Sequence, residues 1–178
     1  MHIIIDGYNL IRQSDMLRRY ERFSLEEGRK ALIRFSALYK KHKGHKVTVV
    51  FDGWEGGPAE EERDRQAGID IIYSRRGEKA DEVIKRMVQK TGEEIVVVTS
   101  DREVADFVSR RGRTAISSRE FEELVGRLQN SVSDSHPQSN GGYNKDEDDE
   151  IRAGIKRKGP SRRLSRKKKA AIAKIRKL

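Results

Sequence analysis

The sequence predicts an α/β fold of three layers over residues 1 to about 128, with helices on both faces of a mainly parallel, Rossmann-like sheet. Two observations support this prediction. Runs of β-branched residues are continuously apolar rather than alternating, which is typical of strands buried on both faces of a parallel sheet. Segments with helical periodicity separate these runs, and strands that alternate with helices imply right-handed crossovers.

The predicted strands are short apolar runs that recur along the first two thirds of the chain. They comprise residues 2–5, 47–51, 69–73, 95–98 and 114–116. The last run follows Gly112 and is the shortest of them. The segment 53–68, between the second and third runs, has no such pattern and is predicted to be a loop.

The helix between the first and second strands has clear signals at both ends. Ser24 and Glu27 form a capping box, in which each side chain satisfies a backbone donor of the other residue. The helix is predicted to end near Gly44, because glycine is a natural C-terminal cap. Its apolar face is predicted to consist of Leu32, Phe35, Leu38 and Tyr39.

Three further helices are predicted after the later strands. One spans about residues 78–91 and ends before Gly92, and another begins at Asp101 and ends before Gly112. Ser117 and Glu120 form a second capping box, which opens the helix that completes the domain. The inward residues of the first of these helices are predicted to be Val83, Ile84, Met87 and Val88, and those of the last Phe121, Leu124, Val125 and Leu128.

The net charge of +10 is concentrated in the C-terminal part of the chain. Residues 1–129 hold 25 Lys or Arg and 23 Asp or Glu, whereas residues 130–178 hold 14 and 6. We predict a flexible polar and acidic linker over residues 129–150 and a basic, disordered or helical tail over residues 151–178. Such a tail favours a polyanionic partner, nucleic acid rather than a membrane, although basic extensions also occur as merely solvated segments. The tail residues predicted to bind RNA are Arg162, Arg163, Arg166, Lys167, Lys168 and Lys169.

Composition excludes several protein classes. The chain has no cysteine, so it forms neither disulfides nor thiolate metal sites. No apolar run approaches the roughly 20 residues of a membrane-spanning helix. The N-terminus begins directly with a strand-like run and lacks the pattern of a secretory signal, which predicts a cytoplasmic protein.

Four carboxylates fall at positions that a parallel sheet brings together. Asp6 directly follows the first strand, and Asp52 directly follows the second. Ser100 and Asp101 follow the fourth strand, and Asp81 lies near the start of the helix after the third. Ligands of open α/β sheets bind outside the carboxyl ends of the strands. We therefore expect these side chains to line one acidic site at that edge.

Each carboxylate also has a simpler structural interpretation. Asp6 and Asp101 fit helix N-caps, Asp81 complements a helix dipole, and Asp52 fits a turn. Clustered carboxylates, however, repel one another and raise each other's pKa unless a cation intervenes. Hard cations such as Mg²⁺ and Mn²⁺ bind through one or two carboxylates together with waters and substrate phosphates. The sequence therefore predicts a site for one or two Mg²⁺ or Mn²⁺ ions, whereas its histidines lack the spacing of a zinc site.

The motifs at the strand ends resemble those of a known nuclease family. Asp-Gly-Tyr-Asn at residues 6–9 follows an apolar strand. Val-Val-Phe-Asp, Glu-Lys-Ala-Asp and Val-Thr-Ser-Asp then follow in order at residues 49–52, 78–81 and 98–101. Together they are similar to the NYN branch of the PIN-like nucleases, and in particular to the YacP-like NYN family. Members of that family include ribosome-associated mRNA endonucleases of bacteria.

The resemblance implies a PIN-like fold over residues 1 to about 128 and a catalytic role for five residues. Asp6, Asp81 and Asp101 would be the metal ligands. Asn9 would orient a ligand or contact a phosphate, and Asp52 would be a ligand or would support one. Asn9 equally fits the N-cap of a short helix. The chain departs from familiar members after residue 130, where they continue with helical sequence of mixed charge.

Three functional hypotheses follow. The first is a metal-dependent endoribonuclease acting on ribosome-associated mRNA, whose backbone would be held near the metal by Arg75, Arg76, Lys79 and Arg102. The second is a non-catalytic RNA- or ribosome-binding module that keeps the fold, because the charge of the tail alone can dominate binding. The third is a phosphatase with an aspartyl nucleophile. It fits less well, since such enzymes typically place a second acid where this chain has Tyr8.

Overall fold

The architecture is a six-stranded sheet between two layers of helices. This computed structural model describes residues 1–53, 59–90 and 92–133, with side chains to residue 128, and residues 166, 169, 170, 172 and 173. In the described chain the strands lie in the order β3-β4-β2-β1-β5-β6. They are β1 (His2–Asp6), β2 (Lys46–Phe51), β3 (Glu62–Gln66), β4 (Ile69–Tyr73), β5 (Ile95–Val98) and β6 (Thr114–Ile116). All neighbouring pairs are parallel except β3 and β4, so the predicted three-layer α/β fold is confirmed.

The helices connect the strands by crossovers on both faces of the sheet. They are α1 (Gly7–Gln13), α2 (Asp15–Glu21), α3 (Leu25–Lys43), α4 (Ala80–Lys90), α5 (Arg102–Arg110) and α6 (Ser118–Ser133). In β1, Ile3 and Ile5 pack into the core on one face, which α1, α2, α3 and α6 cover. Ile4 points the other way, into the core that α4 and α5 cover. Because the central strand is buried on both faces, its sequence is continuously apolar.

Most helix ends agree with their predicted caps. The Ser24 hydroxyl accepts a hydrogen bond from the Glu27 N–H at 3.0 Å, and α3 ends at Gly44, which has φ of +65°. The Glu120 carboxylate accepts hydrogen bonds from both the N–H and the hydroxyl of Ser117, at 2.7 and 2.8 Å. One predicted core position is wrong: Leu38 is 39% exposed rather than on the inner face of α3.

The prediction of a loop over residues 53–68 is also wrong, because β3 lies within it. All five residues of β3 are exposed, and Glu-Arg-Asp-Arg-Gln carries no apolar signal. The strand pairs antiparallel with β4 and reaches it through a tight turn, at Ala67 and Gly68, where φ is +49° and +78°. A charged edge strand of this kind resists edge-to-edge association with another chain.

The C-terminal segment contacts the domain through at least one side chain. Ile172 is partly buried against the core cluster beneath α3 and α6, whereas Arg166 and Lys169 are helical and exposed. The helix α6 continues to Ser133. The division into a domain to residue 128, a linker over 129–150 and a tail from 151 stays a proposal. Within the part of the chain that the structure describes, no helix is both long and apolar enough to span a membrane.

Candidate active site

The carboxyl ends of β1, β2 and β5 surround a cavity of about 330 Å³. Asp6 ends β1, Asp52 follows β2, and Asp101 precedes α5. Asp81, in the first turn of α4, faces the same space. The residues that line the cavity are Asp6, Tyr8, Asn9, Arg12, Gln13, Asp52, Lys79, Asp81 and Asp101. The topology therefore brings together all four carboxylates at the edge where they are expected.

Asp6 is the most deeply placed of these acids, with 7% of its surface exposed. Its Oδ1 accepts a hydrogen bond from the Asn9 N–H at 3.3 Å, and its Oδ2 accepts one from the Thr99 hydroxyl at 3.2 Å. Burial, together with the charges of Asp81 and Asp52 and against these hydrogen bonds, raises the pKa of Asp6 to about 7. A proton or a nearby cation therefore stabilises Asp6 at neutral pH.

Asp81 is half-buried and faces the other acids from α4. Burial raises the pKa of Asp81, and the charges of Asp101 and Asp52 raise it further, whereas Lys85 and Lys79 lower it. Its carboxylate has no hydrogen-bond partner among the described residues. Both of its oxygens are therefore free to bind a ligand in the cavity.

Asp52 and Asp101 combine a capping role with a position in the cavity. Asp52 Oδ1 accepts a hydrogen bond from the Ala80 N–H at 2.6 Å, which fixes the start of α4 beside the end of β2. Asp101 is the N-cap of α5, and its Oδ1 accepts hydrogen bonds from the N–H groups of Glu103 and Val104 at 2.7 and 3.2 Å. The capping interpretation is thus correct for Asp101, and Oδ2 of both acids remains available to the cavity.

Asn9 fixes the relative positions of three elements. Its Oδ1 accepts hydrogen bonds from the Ser100 N–H at 2.8 Å and from the Ser118 hydroxyl at 2.9 Å. The Ser100 hydroxyl in turn accepts one from the Ser118 N–H at 3.2 Å. Asn9 is not the N-cap of α1, because Asp6 holds that position. With its oxygen fixed on two donors, Asn9 can present only its amide N–H groups to a ligand.

Tyr8 belongs to the wall of the cavity and packs on the sheet. Its ring lies edge-on to Phe51, with centroids 5.2 Å apart, and its hydroxyl accepts a hydrogen bond from Arg29 at 3.2 Å. The guanidinium of Arg12 lies 5.6 Å from the Tyr8 ring centroid. The backbone of Gly7 approaches Phe51 closely, because a Cβ there would lie 2.4 Å from the ring. This packing sets where α1 begins and hence where Arg12 reaches the cavity.

Arg12 and Gln13 were not predicted as site residues from the sequence. A usable signal was present, because a helix that begins after Asp6 places positions three and four beyond Asn9 on the same face as Asn9. Arg12 is exposed, and its nearest carboxylate, Glu21, is 3.8 Å away. Two cations therefore line the cavity, Arg12 from α1 and Lys79 from the segment before α4.

The basic residues predicted to bind RNA fall into separate places. Lys79 lines the acidic cavity, whereas Arg75 and Arg76 line only a neighbouring depression. Arg102 is exposed on α5 and lines neither. Of the tail residues, Arg166 and Lys169 are exposed. Arg162, Arg163, Lys167 and Lys168 lie outside the described residues.

The donors in the cavity fit a hard divalent cation. They are carboxylate oxygens, and burial together with the charges of neighbouring acids raises the pKa values of Asp6 and Asp81. Among the described side chains, no three Asp, Glu or His converge tightly enough to enclose an ion by themselves. Mg²⁺ binds proteins through one or two carboxylates and keeps waters or substrate oxygens, and carboxylate oxygens are what this cavity offers.

Comparisons with known proteins agree with the strand-end motifs. The model of the YacP-like NYN domain matches residues 3–177. The chain is 29% identical to the protein YacP of Bacillus subtilis (strain 168) over 133 residues. This alignment covers 73% of this chain and 78% of YacP. Crystal structures of Rae1 (YacP) from Bacillus subtilis, one of the protein and one of a single-residue variant, are 28% and 27% identical to this chain. Both superpose with a TM-score of 0.62 over 75% of this chain and 78% and 79% of theirs. The chain therefore belongs to the YacP-like NYN domain family, a branch of the PIN-like nucleases.

Proposed function

We propose that this protein is an endoribonuclease that depends on Mg²⁺ or Mn²⁺ and cuts RNA at the acidic cavity. The observation that carries the proposal is the convergence of four carboxylates in one cavity that also has a cation on its rim. A cluster of acids alone would repel a phosphodiester. If the acids hold a divalent ion, that ion together with Arg12 and Lys79 would instead attract the phosphodiester.

Asp6 and Asp81 are the proposed principal metal ligands. Asp81 offers two oxygens without hydrogen-bond partners among the described residues, and the raised pKa of Asp6, about 7, means that a bound cation would favour its ionised form at neutral pH. Asp101 is the proposed third ligand through Oδ2, since its Oδ1 is held by the start of α5. Asp52 supports the site by fixing α4, the helix that carries Asp81.

The other cavity residues would bind and orient the RNA. A divalent ion at this site would lower the pKa of a water and offset the charge that develops on the phosphodiester. Arg12 and Lys79 would hold phosphates on either side of the scissile bond, where their contacts carry no base specificity. Asn9 would donate its amide N–H groups to a phosphate oxygen, because its own oxygen is already engaged.

Cleavage of a labelled single-stranded RNA tests this proposal. With Mn²⁺ or Mg²⁺ we expect internal cuts, and we expect a chelator to abolish them. Asp6→Asn and Asp81→Asn should each slow cleavage by at least about 100-fold, because each removes a ligand from the ion that stabilises the reaction. Asp106→Asn is the matched control, since Asp106 is exposed on α5 and lies outside the cavity. Undiminished cleavage by either site variant would refute its assigned role.

A non-catalytic RNA- or ribosome-binding module remains the second candidate. The observation in its favour is that the described acids do not form a closed set of three around one point. Deleting residues 146–178 separates the candidates. A binder driven by the tail would lose its RNA affinity and most of the dependence of that affinity on salt. A nuclease would keep metal-dependent cleavage in its folded part.

The RNA substrate is proposed to be ribosome-associated mRNA in the cytoplasm. The family resemblance supports this, and so does the excess of Lys and Arg after residue 150. Sedimentation of the protein with purified ribosomes, with and without residues 146–178, provides the test. We expect co-sedimentation that weakens with added salt and on removal of the tail, whereas a protein that stays in the supernatant in both forms would contradict it.

A further inference from the structure

A second depression adjoins the acidic cavity and shares one wall with it. It lies along α4 beside the turn 74–79, is bordered on its far side by Phe107 of α5, and has a volume of about 950 Å³, nearly three times that of the acidic cavity. Lys79 lines both spaces. An RNA strand that leaves the acidic cavity over Lys79 would therefore enter this depression next.

Five of the eleven residues that line the depression are cationic. Its acidic lining residues are Glu78 and Glu82. Glu78 pairs with Arg86 at 2.7 Å and with Arg75 at 3.5 Å, and Glu82 pairs with Lys85 at 3.0 Å. Lys85 and Arg86 each pair with one further acid, Glu103 and Glu61 respectively, at 2.7 Å. The cationic lining residues are Arg75, Arg76, Lys79, Lys85 and Arg86. Within the turn 74–79 three of these cations stand beside one acid, Glu78, and this local surplus of positive charge suits a phosphate backbone.

The turn that carries three of these cations is held in place by the sheet. The Ser74 side chain is buried and accepts a hydrogen bond from the Gly53 N–H at 2.8 Å, while its own hydroxyl donates to the Glu78 carbonyl. Any residue larger than glycine at Gly53 would collide with this turn, because a Cβ there would lie 2.2 Å from the Ser74 carbonyl oxygen. Asp52 closes the other end at Ala80. The cations are therefore presented from a fixed backbone rather than from a loose loop.

An aromatic ring forms the far side of the depression. Phe107 of α5 is partly buried and lines this space. The Arg111 guanidinium lies 4.6 Å from its ring centroid, and the Lys85 ammonium lies 6.0 Å from it. Grooves that bind single-stranded nucleic acid combine cations that follow the backbone with aromatic rings on which bases stack. The depression has both features.

We propose that this depression is a second RNA subsite, which binds the nucleotides on one side of the scissile phosphate. Lys79 holds the phosphate at the junction with the acidic cavity, Arg75 and Arg76 hold the next phosphates, and Phe107 stacks on a base. The inference rests on the proposed endoribonuclease function. It adds that binding and cleavage strengthen with RNA length until the strand fills the depression.

The experiment measures binding of labelled single-stranded RNAs of roughly 4 and roughly 12 nucleotides to the full-length Asp81→Asn protein, by fluorescence anisotropy. Phe107→Ala in this background should weaken binding of the longer RNA by about 5- to 100-fold and leave the shorter RNA nearly unaffected. Thermal unfolding of the same protein checks that it is folded. If Phe107→Ala loses stability, Phe107→Leu, which keeps an apolar side chain without a ring to stack on, replaces it.

A second variant should change affinity in the opposite direction. Glu82→Gln removes an acid from the lining of the depression and should tighten binding of the longer RNA by about two- to fivefold. Glu123→Gln is the matched control, because Glu123 is exposed on α6 and pairs with a neighbouring arginine as Glu82 pairs with Lys85. Glu123→Gln changes the net charge by the same amount as Glu82→Gln, but it should leave the affinity for both RNAs nearly unchanged.

The outcomes separate this subsite from the proposed catalytic function. Equal effects of Phe107→Ala on both RNA lengths, or equal effects of Glu82→Gln and Glu123→Gln, would overturn the subsite even if the wild-type protein cuts RNA. Length-dependent losses in a protein whose wild type cuts no RNA would support the subsite and refute the nuclease. If the loss of affinity depends on RNA length and the wild-type protein cuts RNA, the results support both the subsite and the nuclease.

Discussion

At Asp6 one side chain meets two opposing demands. It caps α1 through the Asn9 N–H, which stabilises the helix. It is also buried beside Asp81 and Asp52, which makes its negative charge unfavourable and raises its pKa to about 7. The cap does not require a charge, because asparagine caps helices about as well as aspartate. The charge is therefore kept at a cost to stability, as expected for a cation ligand.

This conflict predicts that Asp6→Asn stabilises the protein when no divalent ion is present. Because the folded-state pKa of about 7 lies above the ordinary value of 3.8, the favourable contribution of Asp6 is present at low pH and is lost as the pH rises towards 7. At pH 8 with a chelator, we expect the variant to gain roughly 1 to 3 kcal/mol in the free energy of unfolding by urea. At pH near 4, the difference should largely vanish.

The same variant should lose the stabilisation that a bound ion provides. Saturating Mn²⁺ should raise the unfolding free energy of the wild type and change that of Asp6→Asn much less, because ligand binding stabilises only the form that binds it. Asp106→Asn, an exposed acid on α5, should respond to Mn²⁺ as the wild type does. An Asp6→Asn protein that is less stable than the wild type at pH 8 without metal would contradict the assigned burial cost.

Among the elements, the start of α1 depends on close packing against the sheet. A Cβ at Gly7 would lie 2.4 Å from the Phe51 ring and 2.9 Å from the Val50 carbonyl oxygen. We expect Gly7→Ala to lower the free energy of unfolding by roughly 1 to 3 kcal/mol, as overpacked cores do. Because α1 carries Asn9 and Arg12, cleavage should fall as well.

The matched control for Gly7→Ala in α1 is Gly126→Ala in α6. No atom lies within 4 Å of a Cβ built there, so the change replaces a helical glycine without a clash. We expect it to raise the free energy of unfolding by roughly 0.5 to 1 kcal/mol in the same urea titration. Equal effects of the two substitutions would show that the contact with Phe51 does not limit the position of α1.

Elements differ in how far sequence alone could predict them. The buried strands and the capped helices α3 and α6 were predictable, because burial on both faces leaves an apolar run and capping leaves a polar pair at fixed spacing. Strand β3 could not be predicted from the sequence, because all its residues are exposed and its backbone pairs with β4. Leu38 shows the opposite case, in which an apolar residue at helical spacing is 39% exposed.

The site shows the same division. The position of the four acids followed from strand ends alone, because topology brings those ends to one edge. The contribution of Arg12 depends on the helix that Asp6 starts, and the engagement of Asn9 depends on Ser118, which is 109 residues away in the chain. Contacts of that range arise from packing and leave no local pattern.

For the whole molecule, Ile172 connects the basic C-terminal segment to the domain. Its side chain is partly buried against the core cluster, whereas the neighbouring Ala173 is exposed. Ile172→Glu should therefore release the segment and speed its removal by trypsin, since a buried unpaired charge is unfavourable. Ala173→Glu introduces the same charge and should leave the rate of removal close to that of the wild type. Equal rates for both variants would show that Ile172 does not anchor the segment.

The acidic cavity as a metal centre is the claim on which the remaining proposals depend. Anomalous scattering from crystals soaked in Mn²⁺ tests it most directly. The predicted result is a peak in the cavity within coordination distance of Asp6 and Asp81, with Asp101 on its other side. Crystals of the Asp81→Asn variant should lack this peak. A fully occupied Mn²⁺ elsewhere, with an empty cavity in a protein that still cuts RNA, would contradict it.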